Sequence, residues 1–175
     1  MEINKVIVGY LQTNCYVLFK NNSCLIIDPG AEEDKIIKTI SDKLVVGILI
    51  THYHPDHIGS LEVLKDKYKC KVYDKSNLDE KNYQISDFNF DVIYTPGHKS
   101  DSLTYNFSNK YLFTGDFLFK ETVGRYDLPT GDFNILMDSL KKIKTLNSSI
   151  KIYPGHGEDT TLDHEIKYNP FLNRY

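Results

Sequence analysis

Histidine and aspartate side chains stand at the ends of four apolar runs in this chain, and that placement limits the folds it can adopt. The densest segment is THYHPDH, which sets His52, His54, Asp56 and His57 directly after VVGILI. Three later segments repeat the arrangement. VIYTPGH delivers His98, YLFTGD delivers Asp116 and KIYPGHG delivers His156, each where a β-branched or aromatic run meets Gly or Pro. Short runs of this composition bounded by Gly or Pro read as strands. Strands packed side by side bring their ends to one rim of a sheet, so these seven residues can converge although they span about a hundred positions.

The residue types suit a metal. Neutral imidazole and carboxylate bind Zn, Fe and Mn alike, with nitrogen reaching the ion at about 2.0–2.1 Å. Thiolates do not enter the set, because Cys15, Cys24 and Cys70 are scattered and form no CxxC pair. They read as small residues of a reduced protein, Cys15 and Cys24 on strands and Cys70 next to one. Seven donors exceed what one tetrahedral ion takes. Two divalent ions about 3.5–4 Å apart, bridged by one carboxylate and one hydroxide, would use all seven. With two carboxylates and one hydroxide against two divalent cations the site keeps a net positive charge, which favours an anionic or strongly polarised substrate.

The remaining pattern alternates strands with helices. KVIVGY, NCYVLF and CLIID, with a turn at Asn21, Asn22 and Ser23, read as an antiparallel meander. EEDKIIKTISDK puts Ile36, Ile37 and Ile40 on one helical face, with acidic residues in the first turn where they complement the helix dipole. VVGILI is a buried strand, Leu61, Leu64 and Tyr68 follow at helical spacing, and KVYD is a short strand. FNFDVIYT, LTYNF, YLFT and KIYP are strands, and Phe133, Leu136, Leu140 and Ile143 mark one helical face between the last two. KSNLDEKNYQISD shows no period and reads either as a solvated excursion or as part of a site rim. FKETVGRYDLPTGD leaves the strand end that carries Asp116 and is punctuated by Gly124, Pro129 and Gly131, which places it beside the metals. Within it Arg125 has two readings, a bidentate holder of a substrate carboxylate or a structural ion pair with Asp127. His164, in the polar stretch TLDHEIK, reads as a solvent-exposed helix residue.

Composition narrows the function classes. A chain of 175 residues with 41% hydrophobic content buries a sizeable core, and no segment reads as a linker or repeat, so residues 1–175 are expected to form one domain. The net charge of −3, with lysines spread over turns and helix faces, gives no basic footprint for nucleic acid. MEINKVIVGYLQTN reads neither as a signal peptide nor as a membrane span, and the expected location is the cytoplasm.

Taken together, THYHPDH, TPGH, TGD and PGHG resemble the metallo-β-lactamase superfamily over nearly the whole chain. The resemblance implies an αββα sandwich of two mixed sheets with outer helices. It assigns His52, His54 and His98 to a first metal, Asp56, His57 and His156 to a second, and Asp116 to both. QTNCYVL, IIDPG, GDFLF with GRYDLPTGD, and GHGEDTT with NPF are similar to the short glyoxalase II-like hydrolases. Asp28 in IIDPG caps a turn in the plain reading; the resemblance makes it a hydrogen-bond acceptor that orients the metal-binding loop.

What this implies is a binuclear metal-dependent hydrolase, with Zn, Fe or Mn as the ions. It would cleave small anionic 2-hydroxyacyl thioesters through a metal-bridging hydroxide, with Asp56 also accepting a proton. GRYDLP is equally similar to the persulfide dioxygenase branch, which uses one Fe(II), and that is the alternative activity. A non-catalytic, metal-stabilised module ranks third. A β-lactamase is disfavoured because Asp116 stands where the common zinc enzymes carry cysteine and no export signal is read; an oxygen-reducing di-iron protein is disfavoured because His54 is not replaced by Glu. Two departures bear on the substrate. The longer glyoxalase II enzymes carry a C-terminal helical domain that lines the thiol-peptide pocket, which argues against glutathione here. After His98 the chain reads HKSDS, with Asp101 where relatives commonly carry Gly, so either the turn differs or Asp101 makes a new polar contact.

Overall fold

Three antiparallel strands open the computed structural model, which describes residues 1–173: β1 (Glu2–Val8), β2 (Thr13–Lys20) and β3 (Ser23–Ile27). Helix α1 (Glu33–Ile40) then crosses over to β4 (Leu44–Leu49), parallel to β3. Helices α2 (Pro55–Ile58) and α3 (Leu61–Tyr68) cross again to β5 (Val72–Tyr73), parallel to β4. Parallel neighbours need such crossovers, whereas tight turns suffice for the meander. The first sheet thus has the order β1-β2-β3-β4-β5 and is mixed, as expected.

The second half builds a second mixed sheet. Strands β6 (Asn82–Ile85), β7 (Phe88–Tyr94), β8 (Leu103–Phe107) and β9 (Tyr111–Gly115) run as an antiparallel meander. A small hairpin, β10 (Leu118–Phe119) and β11 (Thr122–Val123), stands apart from the sheet. Helix α4 (Phe133–Lys144) returns the chain to β12 (Lys151–Pro154), parallel to β9. Strand β13 (Thr160–Thr161) closes that edge before α5 (Leu162–Tyr168). The order is β13-β12-β9-β8-β7-β6.

Side-chain alternation along the strands explains the layers. Tyr16 and Leu18 on β2 pack inward with Leu25, Leu49, Phe88, Phe90, Tyr105 and Phe113 between the sheets. Their neighbours Cys15 and Val17 face the other way, beneath Ile36 and Ile40 of α1 and Leu61 and Leu64 of α3. On the far side Leu136, Leu140 and Ile143 of α4 cover Leu112 and Ile152. Each fully buried Leu, Ile or Phe contributes about 1.5–3 kcal/mol, so the three apolar layers carry most of the stabilisation. Helix α4 is started by Asp132, whose carboxylate accepts the Ile135 N–H at 3.0 Å, a cap of about 1 kcal/mol.

The structure corrects three expectations. The segment 75–87 is largely solvated, as one of its two readings had it, but it is not only a loop: it contains β6, the edge strand against β7, and Leu78 is buried in the inter-sheet core. Its alternation is only four residues long, too short to stand out among polar neighbours. Phe133, expected on the buried face of its helix, is 40% exposed at the first position of α4 and packs on the Tyr126 ring. His164 is helical but not solvent-exposed to the extent expected. It is partly buried, its Nε2 lies 2.8 Å from Glu121 Oε1, and its ring lies against Tyr168.

Candidate metal centre

All seven clustered residues leave strand ends at one rim. His52, His54, Asp56 and His57 follow β4 of the first sheet, whereas His98, Asp116 and His156 follow β7, β9 and β12 of the second. His54 precedes α2, and Pro55 occupies the first helical position, where its missing N–H costs no hydrogen bond. That turn swings Asp56 and His57 back toward the strand ends; the His57 N–H donates to His54 O at 3.0 Å.

Two adjoining groups result. In the first, the ligand atoms of His52, His54, His98 and Asp116 all lie within 4.8 Å of one another; in the second, those of Asp56, His57 and His156 do. His54 Nδ1 is 3.0 Å from both His52 Nε2 and His98 Nε2. A single ring proton serves only one such contact, so three convergent nitrogens are the geometry of ligands around an ion. Asp116 spans the groups: Oδ1 is 3.2 Å from His57 Nε2, and Oδ2 is 3.4 Å from His156 Nε2 and 3.8 Å from His98 Nε2. Asp56 Oδ2 stands 3.2 Å from His156 Nε2 and 3.5 Å from His57 Nε2. His57 Nε2 and Asp116 Oδ1 are buried and face each other at 3.2 Å, but neither meets a hydrogen-bond partner in bonding geometry. Orphaned polar atoms of this kind are costly unless something else occupies the space between them, so the residue set fits a pair of metal ions.

The opposite side of each ring is held. His57 Nδ1 lies 3.0 Å from Asp28 Oδ2, which also accepts the Thr51 hydroxyl at 2.6 Å, while Asp28 Oδ1 accepts the Thr51 N–H at 2.8 Å. His98 Nδ1 faces the Arg125 carbonyl at 2.7 Å, and His156 Nδ1 faces the Leu11 carbonyl at 3.0 Å. His52 Nδ1 is 3.1 Å from Thr51 Oγ1. Such contacts fix ring orientation and leave the other nitrogen for the metal. The Thr13 hydroxyl donates to Asp56 Oδ2 at 2.9 Å.

Electrostatics divides the groups. Burial, with His57 nearby, pushes His52 well below the ordinary imidazole value, and burial likewise lowers His54 and His98. Their neutral form is the ligating one. In the second group burial opposes the charged forms and loses. His57 rises to about 10 because Asp116 and Asp28 outweigh burial, and His156 rises to about 9 through Asp116 and Asp56. Burial also works against Asp116 and Asp56, yet His156 and His57 hold both carboxyls well below the usual range. Metal-free, the second group together with Asp116 is thus an ion-paired network of two imidazoliums and two carboxylates. His52, His57 and His98 form a buried floor, while His54, Asp56 and His156 are partly exposed at the mouth.

Arg125 lies beside the centre through its backbone, but its guanidinium makes a bidentate pair with Asp127, at 2.9 Å for both contacts. Sequence reasoning missed Thr13, Thr51, Tyr53 and the carbonyls of Leu11 and Arg125. Main-chain atoms leave no sequence signal; Thr13, at the start of β2 and within QTNCYVL, is the one that motif could have exposed.

The metallo-β-lactamase superfamily profile matches residues 8–82 and 74–156. The chain belongs to this superfamily. A probable metallo-hydrolase of Streptococcus pyogenes serotype M6 is 34% identical, covering 99% of this chain and 91% of the relative. Hydroxyacylglutathione hydrolase GloC of Haemophilus influenzae is 30% identical, covering 99% of each. Among solved structures, the BLEG-1 B3 metallo-β-lactamase matches with TM-score 0.94 and 31% identity over 98% of this chain and 99% of that one. ETHE1 from Myxococcus xanthus matches with TM-score 0.93 and 25% identity over 100% and 86%. TTHA1623, crystallised in a di-iron-bound form, matches with TM-score 0.88 and 30% identity over 97% and 100%. The four-layer fold is that of the superfamily, and a structure bearing the β-lactamase name is as similar as the hydrolases. Among the described residues, no helix is long and apolar enough to cross a membrane.

Proposed function

We propose that this metallo-β-lactamase superfamily protein is a thioesterase acting on small anionic 2-hydroxyacyl thioesters with two divalent ions, Zn, Fe or Mn. The observation that carries the binuclear reading is Asp116, whose two oxygens face His57 on one side and His98 and His156 on the other. The activity in the name of the Haemophilus influenzae relative supports the substrate class.

His52, His54 and His98 would hold the first ion, Asp56, His57 and His156 the second, and Asp116 both. When bound, the ions supply a Lewis acid for the carbonyl and lower the pKa of water to about 7. The chain's own residues do the rest. Asp28 and the carbonyls of Leu11 and Arg125 keep His57, His156 and His98 in one tautomer and orientation. Asp56, anchored by Thr13, stands at the mouth, where it accepts a proton as the tetrahedral intermediate collapses. A thiolate with pKa near about 8.5 leaves without full protonation, so no separate general acid is required. Arg125 reaches a substrate carboxylate only by leaving Asp127. Both partners are mostly exposed, so solvent screens the pair and water can take the place of either partner.

A single-iron persulfide dioxygenase is the second reading, and the ETHE1 neighbour is compatible with it. One experiment separates the two. S-lactoyl thioester is offered without oxygen to Zn-, Mn- or Fe-loaded protein and free thiol is counted; a thiol persulfide is offered to Fe(II)-loaded protein and oxygen uptake is followed; a chromogenic β-lactam is run alongside. Thioester cleavage that falls by about 10² or more in His57→Ala is expected, by analogy with losing a transition-state donor. Persulfide-dependent oxygen uptake with poor thioester turnover, or rapid β-lactam cleavage alone, refutes the proposal.

A further inference from the structure

Tyr53 separates His52 from His54, and it is gripped from both sheets. Its N–H donates to Asp101 Oδ2 at 3.1 Å, and its hydroxyl donates to Asp74 Oδ2 at 2.6 Å. Asp74 follows β5 of the first sheet and is itself fixed by the Ser76 N–H at 2.8 Å. Asp101 lies just before β8 of the second sheet, where the Leu103 N–H donates to Thr51 O at 2.8 Å. Successive side chains of an extended segment point to opposite sides. His52 and His54 therefore share one side, with ligand nitrogens 3.0 Å apart, while Tyr53 anchors on the other. A shift of the residue 53 backbone moves both ligands together, and ligand constellations tolerate only about 0.5 Å.

Asp101 has a second contact. Lys99, next to His98, places Nζ 3.0 and 2.9 Å from the two Asp101 oxygens, with both side chains only about one-fifth exposed. Removing Asp101 would leave an ammonium without its counter-charge beside the first group, where a bound cation would feel it.

We propose that Asp101 is a positioning residue for the first metal group, holding the Tyr53 N–H so that His52 and His54 keep ligand spacing and neutralising Lys99 beside His98. The inference rests on the metal reading of the cluster. It is selective, because the second group is held by other partners: Thr13 for Asp56, Asp28 for His57 and Leu11 O for His156.

The test measures zinc affinity by chelator competition in two backgrounds, His156→Ala, which retains the first group, and His54→Ala, which retains the second. Asp101→Ala should weaken zinc by about 10–100-fold in the first background, the usual loss when an orienting partner of a ligand is removed, and leave the second unchanged. Asp101→Asn keeps an oxygen for the Tyr53 N–H but not the charge opposite Lys99, so it should restore part of the affinity, and Asp101→Asn combined with Lys99→Met most of it. Lys99→Met should bind no more weakly than its parent. Urea midpoints of the metal-free variants report folding separately. Equal weakening in both backgrounds, failure of Asp101→Asn to restore binding, or equal weakening by Lys99→Met overturns the proposal. Zinc binding by the unsubstituted protein that Asp101→Ala leaves untouched in both backgrounds overturns this proposal alone, whereas no zinc binding by the unsubstituted protein overturns the metal reading and this proposal with it.

Discussion

Replacing Gly155 by alanine should disturb the proposed metal centre without removing any of its seven donors. A Cβ at this position would stand 2.3 Å from Asp116 Oδ1 and 2.7 Å from His57 Cε1. Ordinary carbon contacts lie near about 3.5 Å, so the overlap with the carboxylate is about 1 Å. The Gly155 backbone has no room to retreat, since its N–H donates to Gly115 O at 2.8 Å and its carbonyl accepts the Asn14 N–H at 2.7 Å. His57 is fully buried and held by Asp28, which leaves the Asp116 carboxylate to rotate out of its place between the two groups. Overpacking of this kind costs about 1–3 kcal/mol, and misplacing a shared ligand should weaken metal binding by at least the 10–100-fold of a lost orienting contact, as an order of magnitude. Gly157→Ala is the control. Gly157 has φ +75°, and a methyl group there would meet nothing within 4 Å, so alanine introduces only backbone strain of about 1–2 kcal/mol. Stepwise zinc affinities by chelator competition, with urea midpoints of the metal-free proteins, distinguish the two. Wild-type affinity for both ions in Gly155→Ala, or an equal affinity loss in Gly157→Ala, refutes the reasoning.

Three further outcomes follow from the same geometry. Protein isolated without chelator should hold about two ions per chain, and Asp116→Ala should lose most of the second; elemental analysis finding one tightly held ion, unchanged by the substitution, excludes a binuclear centre. In metal-free protein His57 and His156 are raised to about 10 and about 9. Their stabilisation is therefore fully present below the ordinary imidazole value of about 6.5 and lost as pH rises through 9–10. Metal-free Tm should fall over that window, and zinc loading near neutral pH should release protons from both rings, read by calorimetry in buffers of different ionisation enthalpy; a flat metal-free profile with no proton release contradicts it. Glu165 is fully buried and accepts from the Glu121 N–H, the Thr160 hydroxyl and the Asn169 amide at 2.8, 2.6 and 2.8 Å. Glu165→Leu leaves the Glu121 N–H and the Thr160 hydroxyl without this acceptor and the Asn169 amide with only Thr122 O, and should cost about 2–4 kcal/mol in urea unfolding; a loss under about half a kcal/mol, the range of ordinary surface changes, would show that the knot is dispensable.

The parts of this molecule that were legible in its sequence are those where residue type and period agree. Tyr16 and Leu18 alternate with Cys15 and Val17, and the structure divides them between two apolar layers as a two-residue period requires. Ile36 and Ile40 lie one turn apart and are both fully buried. The seven histidines and aspartates stood out because polar residues at the ends of apolar runs have few structural reasons to be there. β6 was missed because a four-residue alternation next to polar turns gives too weak a period, and Leu78 because a lone apolar residue in a polar stretch gives none. Phe133 followed the helical period but sits where the helix begins, before its face meets the sheet.

What the sequence left open at Asp101, an altered turn or a new contact, depends on which atoms of a distant segment lie opposite. The contact turns out to be the N–H of Tyr53, 48 positions away. The same holds for the carbonyls of Leu11 and Arg125, which orient His156 and His98 from the β1–β2 turn and from the segment after β11. Asp28 joins these levels. It takes a left-handed conformation, φ 52°, that Asp tolerates better than most side chains, and its carboxylate gathers the Thr51 N–H, the Thr51 hydroxyl and His57 Nδ1. The ends of β3 and β4 are thereby locked to the floor of the cluster. With one half of the donor set leaving β4 and the other leaving β7, β9 and β12, the cluster keeps its shape only while the two sheets stay in register. Tyr16 of β2 packs across the sheets on Phe113 of β9 and Tyr153 of β12, with ring centroids 5.0–5.6 Å apart, and its hydroxyl donates to Pro154 O just before His156, which ties the two sheets together beside the cluster.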